Sequence, residues 1–520
     1  MRTTKKAVAG AIVLAMSLTA CSGSDAAGPD KAAGGGTLKV RIASAMQSTD
    51  PFREIGTGAW QLLRQVYEGL VSYDNDYNPI PMLAESWTTS DDELVYTFTL
   101  RDGVPFQNGD IMTSTDAKYS LDYYVANAVR GSQLGNISSV DVVDDLHFTV
   151  TLKRRQANFI SLLANPIMIA VVPEGSADND GLLTNPVGTG PFSIENFHNE
   201  ARAVLKKFDD YAPIDIPSTF FGGRKEALVD TVEILSVPES QTAIAGIETG
   251  AYDIAMEVPG QDLDRIKGID GVEVQSATST NIEAAYINTS AAVIDDVQVR
   301  KAILTAIDKK SLVDATVAGQ GEVTNSYVSE LVSWYDEEAA TYWPYTGGTD
   351  KAKQILAGSS YNGEDIEIIA GGPISQQTNA TLIGQMLTEA GFTVSISKLD
   401  HGTYQTRLNN GDFQIAATGT PLRTPPDLLY GEWYCSHGDK VGRFGYCNSA
   451  YDDAYDDAKE IQDEGERNVA FAKLEIQLKD DAVVAPWYFT KALTAVRSYV
   501  KGYKVAPASF FNAWNISLEK

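Results

Sequence analysis

The feature that bounds this chain most tightly is an apolar run that occurs once and stops early. Ala7 to Ala20 is apolar apart from a few small polar breaks, and Arg2, Lys5 and Lys6 lie ahead of it. At about 14 residues it falls short of the roughly 20 needed to cross a bilayer as a helix. A charged start before a short apolar core is the pattern of an export signal. No later stretch is long and apolar enough to span a membrane, so the rest is expected to fold in water outside the cytoplasm. Of 520 residues, 500 remain once the first 20 are removed. That is too many for one compact domain of ordinary size, and two or three lobes are expected.

The signal ends in Leu18-Thr19-Ala20-Cys21, followed by Ser22-Gly23-Ser24-Asp25. This resembles the bacterial lipobox, which implies cleavage before Cys21 and lipidation of Cys21 as the first residue of the mature chain. Residues 21–36 are rich in Gly, Ala, Ser and Asp, a composition expected to act as a flexible tether. Several acyl chains on one cysteine exceed the two-signal threshold for stable anchoring, so the membrane is expected to be met through the lipid alone. The whole sequence carries a formal charge of −28, and loss of the cations Arg2, Lys5 and Lys6 takes it to −31. A body this acidic repels nucleic acid and anionic lipid surfaces, and no nucleic-acid partner is expected.

Apart from Cys21, the cysteines are Cys435 and Cys447. In an oxidising compartment they read as one disulfide closing a short loop. The rival is metal ligation with His437, but a fourth ligand is not evident, and His147, His198 and His401 are scattered. The disulfide is the simpler reading, and neither a metal nor a cofactor is expected.

Local patterns alternate between strand and helix. Leu38 to Ala43, Leu94 to Leu100 and His147 to Leu152 each alternate with period two. Gly58 to Leu70 places Leu62, Leu63, Val66 and Leu70 at helical spacing. Thr113-Ser114-Thr115-Asp116 reads as a capping box, and Asp295-Asp296 precede a helix carrying Val299, Ile303 and Ile307. Asp452, Asp453, Asp456 and Asp457 sit at i, i+4 spacing and read as a solvated helix face rather than a calcium loop. The fold class is α/β.

Three stretches carry a more specific pattern. The first runs from Val66-Tyr67-Glu68-Gly69-Leu70-Val71 through Pro81-Met82-Leu83-Ala84-Glu85-Ser86-Trp87 and Tyr96 to Phe106, ending in Asn108-Gly109-Asp110. The second is Asn185-Pro186-Val187-Gly188-Thr189-Gly190-Pro191-Phe192. The third opens with Val299-Arg300-Lys301-Ala302-Ile303 and Ala306-Ile307-Asp308-Lys309, and continues in Gly391-Phe392, Asn410-Gly411-Asp412-Phe413 and Lys501-Gly502-Tyr503. In order and spacing this resembles the large extracytoplasmic solute-binding proteins of ABC importers that take peptides, nickel and oligosaccharides. Tyr67, Gly69, Leu83, Trp87 and Phe98 read within it as packing and turn residues.

The resemblance implies a two-lobed periplasmic-binding-protein-like fold with two crossover segments and an accessory subdomain in the first lobe. The expected divisions are a signal at 1–20, the tether at 21–36, lobe I at 37–282 with its subdomain near 81–185, lobe II at 283–489, and a return to lobe I at 490–520. The crossings are expected near Ile282 to Asn288 and Pro486 to Phe489. It further implies a monomeric receptor that binds a small solute, most simply a peptide or peptide-like molecule, and hands it to importer permease subunits. An oligosaccharide, metal chelate or anionic compound is the alternative cargo.

Site residues follow from the same resemblance. Peptide-binding members use a strand of the second lobe, matched here by Thr418, Gly419 and Thr420. A few residues on they place an Asp, four before a Pro, that pairs with the ligand's α-ammonium. Counting back from Pro426 reaches Leu422 instead, with Arg423 beside it. A buried ammonium without a counter-charge costs several kcal/mol. Free amino termini should therefore bind poorly unless another acid, Asp427 or Glu432, takes over. Arg423 points to an anionic group on the solute, and Trp433 and Tyr434 to stacking or packing. Met46 and Gln47 follow the first strand, where relatives bring backbone to the cleft. No Gly-x-Ser-x-Gly, His-Glu-x-x-His or paired-Cys zinc pattern appears, so a secreted hydrolase is the weaker class.

Overall fold

Two long strands organise the molecule, Val272–Ile287 and Val484–Arg497. Both are rich in β-branched and aromatic residues, which suits extended backbone. They pair antiparallel along nearly their whole length, from Val272 opposite Arg497 to Tyr286 opposite Val484. The register breaks between Thr278 and Ile282, on the N-terminal side of the Ile282 to Asn288 stretch. The computed structural model describes residues 35–53, 56–164, 169–178, 181–198, 200–423, 425–435 and 444–520. The signal, Cys21, most of the tether and His437 lie outside the described residues.

On either side of that break the pair belongs to a different lobe. The N-terminal half of Val272–Ile287 and the C-terminal half of Val484–Arg497 join Ile254–Ala255, Thr37–Ile42, Thr231–Ser236, Arg202–Lys207 and Phe192–His198. The opposite halves join Ile415–Thr420, Asp365–Gly371 and Thr393–Leu399. With Gly321–Val323 on the return strand, these form one 11-stranded sheet. Helices cover each part; Ile374–Glu389, for example, packs on the second-lobe strands. The fold is therefore the two-lobed α/β architecture that the resemblance implied. Among the described residues, no helix is long and apolar enough to cross a membrane.

A separate four-stranded antiparallel sheet lies between residues 84 and 152, in the order Ala84–Thr89, Val95–Leu100, His147–Leu152, Ile137–Val142. Alternation works here as expected: Tyr96, Phe98 and Leu100 are buried, as are Phe148, Val150 and Leu152. Phe98 and Phe148 stack with centroids 5.1 Å apart. The helix Ser114–Asn127 opens on the expected capping box, where Asp116 accepts from the Thr113 backbone N–H at 2.8 Å. The helix Val297–Ala306 opens on Asp296, which accepts from the Gln298 N–H at 2.7 Å. The first helix, Thr57–Val66, stops four residues before Leu70, which is buried beyond its end.

Cys435 and Cys447 form a disulfide with Cα atoms 5.1 Å apart, so their sulfurs serve each other rather than a metal. A loop of this length contributes roughly 3 kcal/mol in the chain-entropy model. Replacing both cysteines with serine is expected to lower the unfolding free energy by about that amount. Chemical denaturation of the two forms, without reductant, measures it; equal midpoints and slopes would show that the loop is held by other contacts.

The acidic helix face departs from expectation. Ser449–Glu460 is helical, but Asp452 is fully buried and accepts the Cys435 backbone N–H at 3.0 Å. Asp456 accepts from the Tyr434 hydroxyl at 2.9 Å, while Asp453 and Asp457 remain exposed. Half of the supposed solvated face therefore anchors the disulfide segment. A buried backbone N–H needs an acceptor, and Asp452 supplies it.

Candidate functional site

The end of the second lobe nearest the register break is built from three elements. Ile415–Thr420 pairs with Val272–Ile287 on one side, Ile282 opposite Thr420 and Glu283 opposite Gly419. On its other side it pairs with Asp365–Gly371 only as far as Ala417. Thr418, Gly419 and Thr420 thus run past their neighbour and leave one backbone edge without a strand partner. Ile374–Glu389 begins beside that edge, and Ile374 at its start is 82% exposed. The Gln376 amide, oriented to satisfy both groups, accepts the Gly419 N–H at 2.9 Å and donates to the Gly371 carbonyl at 2.6 Å.

Gly419 is exposed, and directly behind it lies Glu283, whose residue is 7% exposed. A Cβ at position 419 would sit 3.3 Å from Glu283 Oε1 and 3.2 Å from the Gln376 amide. Glu283 accepts from the Ser375 hydroxyl at 3.0 Å and from the Asn379 amide at 3.3 Å. Asn379 also donates to the Tyr488 hydroxyl oxygen at 3.1 Å. Burial pushes the Glu283 carboxyl up to about 7, against the Ser375 and Asn379 hydrogen bonds that pull it down.

An unfolded Glu titrates at about 4.3, so between there and about 7 the folded protein holds the extra proton. This contribution to stability is greatest below the unfolded pKa and is lost as pH rises through about 7. Glu283→Gln removes the titration. Its unfolding free energy relative to wild type is expected to rise between pH 4 and pH 8 by on the order of 2–3 kcal/mol. Paired denaturation curves at those pH values measure this; a constant difference would contradict it.

The first lobe contributes the loop after Thr37–Ile42. Gln47 is exposed, whereas Met46 is fully buried, with its N–H donating to the Glu200 carbonyl at 2.9 Å. The Met46 side chain is thus a core residue, while Gln47 beside it is exposed. The loop packs tightly on the first helix: a Cβ at Gly58 would lie 2.1 Å from the Ala45 carbonyl oxygen, so only glycine fits there.

Leu422 is half-buried against the core. Arg423 pairs with Glu432 at 3.1 Å, so its charge already has an internal partner. Burial lowers the Arg130 guanidinium across from this pair, Arg423 adding to the effect and Glu432 opposing it. Asp427 accepts from the Asn158 amide, a contact between the accessory side and the second lobe. Burial raises the Asp427 carboxyl to about 6, with the Asn158 bond opposing. Trp433 is 2% exposed, packed against Tyr286, Tyr327 and Phe444 at centroid distances of 6.4, 5.6 and 5.7 Å. It packs here as a core residue, the packing alternative of its sequence reading.

Between Ser132–Asn158 and the helices Pro426–Tyr430, Ser449–Glu460 and Glu464–Asp480 lies a cavity of about 1000 Å³, with Arg154, Asp427, Tyr434, Tyr455, Lys459 and Arg467 in its walls. Its volume is at the upper end of the range for small-molecule sites, and its walls come from both sides of the cleft. Among the described residues no cluster of His, Cys, Asp and Glu is arranged to hold a metal ion. The residues missed in the sequence are Glu283, Asn158 and Gln376. Nothing in their local patterns marks them, because each acquires its role from a partner more than 90 positions away or from a neighbouring strand.

Comparison with known proteins gives a consistent result. The sequence profile of bacterial extracellular solute-binding proteins, family 5 Middle, matches residues 78–441. The glutathione-binding protein GsiB of Salmonella paratyphi A is 27% identical over 326 residues, 62% of this chain and 61% of the relative. The match thus spans about three fifths of that protein's length. The probable D,D-dipeptide-binding periplasmic protein DdpA of Escherichia coli K12 is 26% identical over 497 residues, 90% of this chain and 92% of the relative. Among solved structures, the oligopeptide-binding protein AppA of Bacillus subtilis, in complex with a nonapeptide, superposes with a TM-score of 0.78 at 22% identity. It covers 94% of this chain and 99% of that one. This last likeness is one of fold.

Proposed function

The chain belongs to the bacterial extracellular solute-binding proteins of family 5, and from that premise we propose that it is the lipid-anchored receptor of an ABC importer, holding a peptide or peptide-like solute between its lobes. The observation that carries the reading is the edge of Thr418–Thr420 beside the lobe crossing, which has no strand partner and whose Gly419 N–H is held by the Gln376 side chain, a contact that a ligand strand can displace. An extended ligand can add to such an edge as a further strand, with main-chain hydrogen bonds supplying affinity and side pockets supplying selectivity. The names of the relatives, which bind glutathione, D,D-dipeptides and an oligopeptide, favour the same chemistry.

In this reading the protein performs no bond chemistry. A solute that touches both lobes stabilises the closed arrangement over the open one by its differential affinity for the two. Hinge motion about the register break at Thr278 and Ile282 then gives the permease subunits a distinct shape to engage. Cys21 carries the lipid, the segment to residue 36 spaces the body from the membrane, and the receptor acts as a monomer.

The test is mass spectrometry of whatever small molecule is released when the purified body is denatured. A compound with one or more amide bonds is the expected result. A sugar or a metal chelate in stoichiometric amount would replace the peptide reading with another cargo of the same receptor role.

A further inference from the structure

Glu283 occupies an unusual position: a carboxylate with neutral partners, placed where the two lobes meet. It is the second residue after the register break, on a strand that passes from one lobe to the other. Its hydrogen-bond donors are the Ser375 hydroxyl and the Asn379 amide, one to each oxygen. An ionised carboxylate offers about four acceptor sites, so these two donors leave capacity unused. Among the described residues no Lys, Arg or His side chain forms an ion pair with it, and neutral hydrogen bonds are the only influences that hold its charge against burial.

Access to it is set by a glycine. Gly419, opposite Glu283 in the ladder, is exposed, and any side chain there would stand 3.3 Å from Oε1. The missing side chain leaves space beside the carboxylate, on the same stretch whose Thr418–Thr420 edge has no strand partner. The other acids near this edge are committed elsewhere, Glu432 to Arg423 and Asp427 to Asn158, and Leu422 is apolar.

We propose that Glu283 is the counter-charge for a cationic nitrogen of the bound solute, the ammonium at the amino end of a peptide-like ligand lying along Thr418–Thr420. The proposal rests on the receptor reading given above and sharpens it. A buried carboxylate and a buried ammonium are each costly alone, and a charge-assisted hydrogen bond between them offsets both. The acid that relatives would place four residues before Pro426 is thus supplied from the crossing strand, and Leu422 no longer argues against a free amino terminus.

The experiment compares wild type with Glu283→Gln, which keeps shape and hydrogen bonding but loses charge. Both are offered a mixed pool of tri- to pentapeptides and the same pool N-acetylated, and the retained fraction is identified by mass spectrometry. Wild type is expected to retain free-amine peptides at least tenfold over acetylated ones, and Glu283→Gln to lose that preference. Gly419→Ala, which crowds the carboxylate without removing it, is expected to weaken retention of the free-amine pool in the same direction. Retention of the free-amine pool by Glu283→Gln equal to wild type, or preference of wild type for the acetylated pool, overturns the proposal. If neither pool is retained, the peptide reading itself fails and the co-purifying solute decides. A solute with a cationic nitrogen whose occupancy falls at least tenfold in Glu283→Gln upholds the role of Glu283, and one without such a nitrogen refutes it.

Discussion

Lys225→Ala is expected to lower folding stability by roughly 3–5 kcal/mol, among the largest losses any single side chain of this protein can produce. Lys225 Nζ lies 2.9 Å from Glu68 Oε1, and the two side chains are 4% and 0% exposed. Glu68 also accepts from the Tyr211 hydroxyl at 2.9 Å and from the Thr189 hydroxyl at 3.1 Å. Lys225 rests 4.8 Å from the Trp514 ring centroid. Burial depresses the Lys225 ammonium, Glu68 opposing and the nearby Arg64 adding to the depression. Removing the lysine leaves a buried carboxylate with two neutral donors and no counter-charge, which is the costly direction of such a change. Replacing both partners, Glu68→Gln with Lys225→Met, is expected to recover most of the loss, because desolvation of the pair nearly cancels its attraction. Urea denaturation of the three variants measures this. A single-variant loss below about 1 kcal/mol would mean that Glu68 reaches water once the lysine is gone.

Trp433→Ala is expected to cost roughly 3–5 kcal/mol as well, through lost burial and the cavity left behind. The ring fills the space between Tyr286 on the crossing strand, Tyr327 and Phe444. Since the residue is 2% exposed, affinity for the solute measured per folded molecule is expected to stay within a few-fold of wild type. Trp433→Phe keeps part of the packing and is expected to fall between the two in stability. Calorimetric titration alongside denaturation separates these quantities. A hundredfold loss of affinity in a variant that remains folded would restore Trp433 to the binding surface.

These two residues show what was legible in the sequence and what was not. Strands of half-buried sheet announce themselves by alternation, and Val95–Leu100 and His147–Leu152 lie where the period-two pattern predicts. The capping box at Thr113 and the acid ahead of Val297 are equally local signals and appear as expected. Val484–Phe489 is a continuous apolar run buried on both faces, so periodicity alone does not distinguish it from a helix. Glu68 lay inside a motif whose neighbours Tyr67 and Gly69 read correctly as packing residues, both being buried or pressed against backbone. Its partner Lys225 stands 157 positions away, which no local pattern reveals. Asp452 looked solvated because its spacing matched an exposed helix face; the disulfide segment folded over it supplies the burial. In the cleft, the family resemblance led to the strand Thr418–Thr420, whereas Glu283 emerged from its strand partner Gly419.

The central claim is that this protein binds its solute reversibly and leaves it chemically unchanged. The direct measurement is equilibrium unfolding of the solute-free body with and without the solute recovered from it, followed by recovery of that solute. At a free concentration 100 times the dissociation constant, the unfolding free energy should rise by about 2.7 kcal/mol and the solute should return intact. No increase in stability, or conversion of the solute to a product, would contradict the account.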